Sequence, residues 1–496
     1  MTLLLLLVCP ARSSTEDIKL PDIGTSAGAI VSEQDERRYG EALVRELNRL
    51  AHVIDDPLVE SYIRHLGFRL AAHSDEPSRN FHFLLIDNKA VNAFAAPGGV
   101  IAIHSGLMLL AENEAELAGV VGHEIAHVTQ RHLARRMESA QKMSIPMMLL
   151  MLGAAVAAGG EGDGVPAAVI GTQGLMQQMM INFTRANEYE ADRIGIRTLA
   201  RAGYDPEGMA TFFEKMGRIA RNYGGGNIPE FLRTHPVSAS RVAEAKIRAG
   251  TTQITNNPEW DPDQFYLIRE RVRLLTENRP EQLLAHYRER FDTGKANMAD
   301  TYGLAMAQLN NHDLLNATET LGPLAREHPA SLPIQLGMAQ IESASGRQDL
   351  AKDRLNRALE RFPGNLAVST AKAEILLNHG GKDGAARAEA LLRPLLTRYP
   401  DNASLFLQYS RAADKTGEWV RAEEAYADHV FLLGRVYDAV TQLEKLLKKP
   451  ELDYYERSRV NARLDEIRPI LAEIQREKGY DPSETRDRPR RSNSAS

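Results

Sequence analysis

The chain has 496 residues, 43% of them hydrophobic and 25% charged, which suits a soluble globular protein of two or three domains. Its formal net charge is −6, and its one basic stretch, RDRPRR at Arg486 to Arg491, is short, so the electrostatic footprint of a nucleic-acid-binding protein is missing. Cys9 is the only cysteine, which excludes an intramolecular disulfide.

The N-terminus MTLLLLLVCPARSS reads as the apolar core of a secretory signal followed by small residues, a signal-like segment over 1–13 with a cut after Ala11. The signal is abbreviated, since no Lys or Arg precedes Leu3, and Val8 stands where a lipid attachment site carries a small residue. Removal of the segment would take Cys9 with it, and export without disulfides fits a bacterial periplasm. Residues 33–50 and 57–74 then show helical periodicity. FHFLLIDN (81–88) and VNAFAAPGGVIAIHSGLM (91–108) read as two strands, the second kinked at PGG. Residues 112–137 read as one long helix. The Met- and Gly-rich stretch 144–183 contains an apolar run, 145–158, shorter than the roughly 20 residues a membrane span needs. It is left as a lid, a surface-seeking segment or buried core.

TTQITNNPEWDPDQ (251–264) has the composition of a linker, and the main boundary is placed there. Beyond it, EHPAS at Pro329, RFPGN at Pro363 and RYPDN at Pro400 recur 34 and 37 residues apart, with the extra residues assigned to the turn NHGGKDGA. Gly-containing turns precede Ala351, Ala390 and Ala425. A 34-residue period with proline after the second helix is the tetratricopeptide signature, which predicts an all-α solenoid over 265–478 that serves as a partner-binding unit separable from the first half. Residues 479–496 read as a disordered polar tail.

GVVGHEIAHVTQRH (119–132) carries the chemistry. On a helix, positions i and i+4 share a face, so His123 and His127 can hold one ion while Glu124 reaches a water on it, an arrangement suited to zinc. NEYEADRIG (187–195) sets Glu188 and Asp192 four apart on one face. Glu188 is the candidate third ligand, and Asp192 would accept a hydrogen bond from the far nitrogen of a ligand histidine. Glu190 is left as ordinary surface. His132 falls about half a turn out of phase with His123 and should not join the metal, and Leu133 stands where a metzincin carries its third histidine. His235, in LRTHPVSASR, lies in a proline-containing loop that could swing over the metal. It would then either donate to an oxyanion or block the open position, the bland alternative being a turn histidine.

HEIAH, NEYEADRIG and RTHPVSASR in this order, followed by repeats, resemble the M48 peptidase family, and the likeness covers nearly the whole chain, including LPDIGTSAG near Leu20. The resemblance implies a gluzincin fold over 30–250, an α+β catalytic domain that is mostly helical with a small sheet. It implies one zinc per chain on His123, His127 and Glu188, with Glu124 catalytic, Asp192 in support and His235 as the loop histidine. It also implies a soluble periplasmic endopeptidase with chaperone activity. Unfolded or stalled outer-membrane proteins would be its substrates, and the repeats would dock on the outer-membrane assembly machinery. An extended substrate would pair with the edge of the strand around residues 91–103. The rival reading is a repeat-based scaffold with an idle metal site.

Overall fold

The structure, a computed structural model, describes residues 32–133, 135, 185–222, 229–256, 261 and 263–477. The signal-like segment, the LPDIGTSAG stretch, residues 144–183 and the tail 479–496 lie outside the described residues. Among the described residues, no helix is long and apolar enough to cross a membrane.

The chain opens with α1 (Glu33–Leu50), capped by the Ser32 side chain accepting from the Asp35 amide, and α2 (Pro57–Ala72), whose cap Asp56 accepts from the Leu58 and Val59 amides. Three strands follow: β1 (His82–Ile86), β2 (Ala93–Ala96) and β3 (Val100–His104). The expected second strand is therefore a hairpin. Pro97–Gly99 forms one tight turn in which Gly98 and Gly99 take φ of 78° and 76°, values that L side chains rarely adopt, so the chain reverses there instead of bending. β3 lies in the middle, parallel to β1 and antiparallel to β2. Of the stretch expected to offer an edge to substrate, only Ala93–Ala96 is an edge strand.

The strands alternate as a sheet covered on both faces requires. Phe94, Ala96, Val100 and Ala102 pack on α1 through Leu43, Val44 and Leu47. Phe83, Leu85, Ala93, Ile101 and Ile103 face the main core, where α2 and α4 (Glu114–Thr129) cover them. Between sheet and α4 runs the short α3 (Ser105–Leu110). After the undescribed segment come α5 (Arg185–Arg201), α6 (Glu207–Asn222), α7 (Glu230–Thr234) and α8 (Ala239–Thr251).

The rest is helical: α9 (Gln264–Thr276), α10 (Pro280–Asp292), α11 (Met298–Asn310), α12 (Leu314–Glu327), α13 (Leu332–Ala344), α14 (Gln348–Arg361), α15 (Leu366–His379), α16 (Gly381–Arg398), α17 (Ala403–Thr416), α18 (Trp419–Leu432), α19 (Val436–Leu447) and α20 (Tyr454–Glu477). α9 packs mainly on α11, and from α10 onward each helix packs mainly on its sequence neighbours. Pro329, Pro363 and Pro400 all fall in the loops that enter α13, α15 and α17. The extra residues of the longer repeat are not turn, as expected, but helix: α16 has 18 residues where α14 has 14, because a helix started at Gly381 satisfies its own backbone. That earlier start makes Ala388, and not the exposed Ala390, the counterpart of buried Ala351 and Ala425.

The helical half is not merely appended to the first. Phe265, Ile268 and Val272 of α9 lie in the same hydrophobic cluster as α2, α4 and the sheet, together with Leu332, Leu336 and Ala339 of α13. Polar contacts follow the same seam. Arg271 binds Asp56 at 2.7 Å, Arg64 binds Asp401 at 3.0 Å, Asn402 donates to Glu60, and Asn48 donates to the Leu432 carbonyl at 3.1 Å.

Part-buried Glu60 carries a consequence. Burial in this seam, outweighing the nearby Arg64, pushes its carboxyl up to about 7 from 4.5. The folded chain then keeps a proton that the unfolded chain has released, so stability falls as pH rises from about 4.5 to about 7. Glu60→Gln retains a hydrogen-bond acceptor for Asn402 and escapes this loss. Its melting midpoint is expected to exceed that of the wild type at pH 8, by on the order of 2 kcal/mol in stability, and the gap is expected to close at pH 5; thermal scans at the two pH values check it.

Candidate metal centre

α4 begins with Asn113 accepting from the Glu116 amide, and acidic Glu114 and Glu116 sit in its first turn, where the helix dipole favours them. It is apolar nearly all round and buried from Glu116 to Thr129, so the polar side chains of HEIAH are carried into the core. α5 crosses it closely because it has a glycine at the contact. A Cβ on Gly195 would stand 3.1 Å from the His123 amide nitrogen and 3.2 Å from the Gly122 carbonyl carbon. Gly195 lies one turn beyond Asp192, and Gly122 directly precedes His123. The crossing therefore faces one acidic helix side with one histidine side.

The result is a compact cluster. His123 Nε2 and His127 Nε2 stand 3.0 Å apart. Glu188 reaches them with Oε2 at 3.6 Å and Oε1 at 3.5 Å. His235 Nδ1 is 3.2 Å from both Glu188 oxygens and 3.3 Å from His123 Nε2. Ligand atoms of His123, His127, Glu188 and His235 all lie within 4.8 Å of one another, and all four residues are buried. The sequence pattern put the first three together; the structure adds His235 to the ligand group itself.

Asp192 stands behind His123, its Oδ1 3.0 Å from His123 Nδ1. Arg241, from the first turn of α8, grips Asp192 with two bonds of 2.7 Å, reaches Glu188 at 2.8 Å, and donates to the Pro236 carbonyl at 2.9 Å. Arg241 closes the motif RTHPVSASR, yet it had no role in the sequence reading, because its acidic partners are 49 and more residues away. The His235 loop is fixed on its other side by Phe231, wholly buried, whose amide donates to the Val91 carbonyl at 3.0 Å.

Glu124 is fully buried, and neither of its carboxylate oxygens has a hydrogen-bond partner among the described residues. It faces the edge strand at Ala95 and His235 Nε2, which is 3.4 Å from its Oε1. Burial raises its carboxyl above the usual range. Burial acts the same way on Glu188 and Asp192, but their histidine and arginine neighbours outweigh it and hold both carboxyls low. For His123, burial is overcome by Asp192 and Glu188, which lift the imidazole to about 9. His127 is driven well below 6.5 by burial and by positive charge on His123.

These residues fit a divalent cation. The buried carboxylates of Glu188 and Asp192 face the Arg241 guanidinium and a His123 imidazole that they hold protonated, and a bound cation can take that proton's place. Two imidazole nitrogens 3.0 Å apart, with lone pairs turned to one point, require a proton or a metal between them. Two histidines and a carboxylate are the donor set of zinc in hydrolytic sites.

Two readings from the sequence need correction. Residues 112–137 are not one helix: α4 stops at Thr129, and Arg131 takes φ 50°. Glu190 is not ordinary surface, since its Oε2 lies 3.0 Å from His132 Nε2. His132 itself, as expected, is outside the ligand cluster.

Residues 57–249 match peptidase family M48. The chain is 34% identical to the beta-barrel assembly-enhancing protease of Escherichia coli K12 over 474 residues, 93% of this chain and 94% of that protein. It is 32% identical to the protein of the same name from Yersinia pestis over 451 residues, 90% and 91% of the two chains. A putative beta-barrel assembly-enhancing protease of Vibrio cholerae is 43% identical over 241 residues, 48% of this chain and 49% of its own.

The glycine crossing is open to a direct check. Gly195→Ala places a methyl 2.7 Å from Met209 Cε besides the two backbone contacts, so the helices must separate. A loss of about 1–3 kcal/mol in stability is expected, measured as a lowered denaturation midpoint.

Proposed function

The chain belongs to peptidase family M48 and is a zinc metalloprotease; on that premise we propose that His123, His127 and Glu188 hold the zinc ion and that Glu124 is the general base and acid of peptide hydrolysis. The observation that carries the reading is the convergence of four buried ligand atoms beside a buried carboxylate without a hydrogen-bond partner among the described residues. When bound, zinc supplies Lewis-acid activation of a water nucleophile and of the scissile carbonyl. Glu124 takes the proton from the attacking water and passes it to the leaving amine, a transfer for which its raised carboxyl is suited. Asp192, held by Arg241, fixes His123 with Nδ1 protonated and Nε2 free to bind. The edge strand β2 is the place for an extended substrate segment to pair, which favours unfolded chains and exposed strands.

The relatives' name points to β-barrel assembly and to proteolysis; we infer from it outer-membrane β-barrel proteins as substrates, a periplasmic setting, and chaperone activity beside proteolysis. We read the helical half as tetratricopeptide units that dock on the assembly machinery. The reading rests on the recurring loop prolines and on buried Ala351, Ala388 and Ala425 at equal spacing. The catalytic unit is taken to span 30–250, the solenoid 265–478.

His123→Ala and Glu188→Ala are expected to lose zinc, measured by elemental analysis of purified protein, and retention of a full equivalent in both would sink the ligand assignment. Glu124→Gln should keep zinc and lose at least roughly 100-fold in cleavage of an unfolded β-barrel substrate. Full turnover by that variant would point instead to the scaffold reading.

His235 stands among the ligands, with Nδ1 turned toward His123 and Glu188, which favours its occupying the position a water nucleophile needs. The closed arrangement would keep the peptidase latent until a partner that binds the open form better shifts the loop. His235→Ala is then expected to raise basal cleavage, followed with a fluorogenic peptide. A fall in rate with unchanged zinc content would assign His235 to oxyanion stabilisation.

A further inference from the structure

The two ligand histidines are supported differently. Behind His123 stands a carboxylate, Asp192. Behind His127 stands another histidine. His132 Nδ1 is 2.9 Å from His127 Nδ1, with the rings nearly edge to face at 74° and their centroids 4.9 Å apart. The other nitrogen of His132 is 3.0 Å from Glu190 Oε2. His132 is fully buried, whereas the Glu190 side chain is 35% exposed, so the chain of contacts leads from the ligand to the surface of α5.

This arrangement exists because α4 stops. A continuous helix would carry His132 away from the ligand face. Arg131 instead takes the left-handed conformation, at roughly 1 kcal/mol for an L residue, and turns His132 back under the last helical turn. The turn is held from outside: Arg131 binds Glu36 of α1 at 2.6 Å, and Arg79 binds the other oxygen of Glu36 at 2.7 Å. A strained residue kept by long-range ion pairs, and delivering a buried histidine to a ligand histidine, is the kind of outlier that functional sites retain.

The proton count fixes the direction of the chain. A metal on His127 Nε2 requires that His127 carry its proton on Nδ1 and donate it. Neutral His132 then accepts at Nδ1 and donates from Nε2 to the Glu190 carboxylate. If His132 donated from both nitrogens, His127 would have to accept at Nδ1 and would lose its free Nε2.

We propose that His132 and Glu190 are positioning residues for the metal site: a histidine–carboxylate relay that sets the tautomer and ring orientation of His127, as Asp192 and Arg241 do for His123. The proposal rests on the zinc reading above. Glu190 is two residues from Glu188, so the relay also ties the end of α4 to the start of α5 and braces the second ligand against the third.

The test uses full-length protein and zinc itself. Affinity is measured by competition with a chromophoric chelator, ligand geometry by the visible spectrum of the cobalt(II)-loaded protein, and fold by the melting midpoint without metal. His132→Leu, which removes the acceptor at similar bulk, is expected to weaken zinc binding about 10–100-fold and to alter the cobalt spectrum. His132→Asn, whose side-chain oxygen can accept the His127 proton, should recover most of the affinity. Glu190→Ala should weaken binding and Glu190→Gln should largely preserve it. Because Glu190 is partly exposed, its variants decide the matter even if His132→Leu does not fold. Wild-type affinity and an unchanged spectrum in both His132→Leu and Glu190→Ala would overturn the proposal. Equal losses in His132→Leu and His132→Asn, matched by equal falls in the metal-free melting midpoint, would also overturn it, since a packing role predicts that pattern. Wild-type protein that takes up no zinc would overturn the metallopeptidase reading and this proposal with it.

Discussion

The contact between α4 and α5 at Gly122 and Gly195 sets the terms for everything around it. The backbones meet this closely because Gly195 carries no side chain; a Cβ at Gly122 would come no nearer than 3.4 Å to the other helix. At that separation the imidazoles of one helix and the carboxylates of the other occupy the same few ångströms of protein interior. Burying these carboxylates would be very costly if they were unpaired, and the Arg241 guanidinium and the His123 imidazole offset their charge. A metal cation can take over the imidazole proton's part, so metal binding and the packing of these helices are one energetic problem. This is why the site is built on the most deeply buried helix of the first half.

Arg241 is the second joint. Its guanidinium contacts Asp192, Glu188 and the Pro236 carbonyl at once, linking the acid behind His123, a candidate ligand, and the loop that carries His235. Its planar fork allows this, where a lysine ammonium would offer a single point of charge. The loop beside the ligands is consequently not independent of them. A movement of His235 that also displaced Pro236 would disturb a donor to both carboxylates. Phe231 anchors the other flank to the strand approach at Val91, so the loop is held at two points, one polar and one apolar.

The helical half bears on the same frame. α1 and α2, which form or support the layers around the sheet, are also the elements that α9, α15, α17 and α18 touch. The contacts combine apolar packing through Phe265, Ile268 and Val272 with part-buried ion pairs at Asp56 and Asp401. A partner that shifts α17 or α18 therefore acts on helices one layer from the edge strand. Communication between the two halves needs no further device than these packed elements, provided that they have two arrangements to choose between.

Whatever depends on the local helical repeat was legible in the chain alone. Spacing by four places His123 with His127 and Glu188 with Asp192, and a glutamate after the first histidine marks Glu124, because side chains one turn apart share a face whatever the rest of the protein does. Loop prolines are legible by their regular interval, though not by proline chemistry alone, since Pro323, Pro394 and Pro469 stand inside helices. What was not legible depends on partners distant in sequence. The end of α4 is held at Arg131 by Glu36, 95 residues earlier, and without that pair nothing in the run 112–137 marks a stop. The roles of His132 and Glu190 follow from that stop, and the role of Arg241 from the crossing of α5 with α4. The count of strands turned on two glycines at positive φ, and the seam between the halves on apolar residues of α9 that read equally well as the inside of a separate bundle. Local geometry is written in residue spacing; the choice of which faces meet is made by the whole core at once, and only the tertiary structure records it.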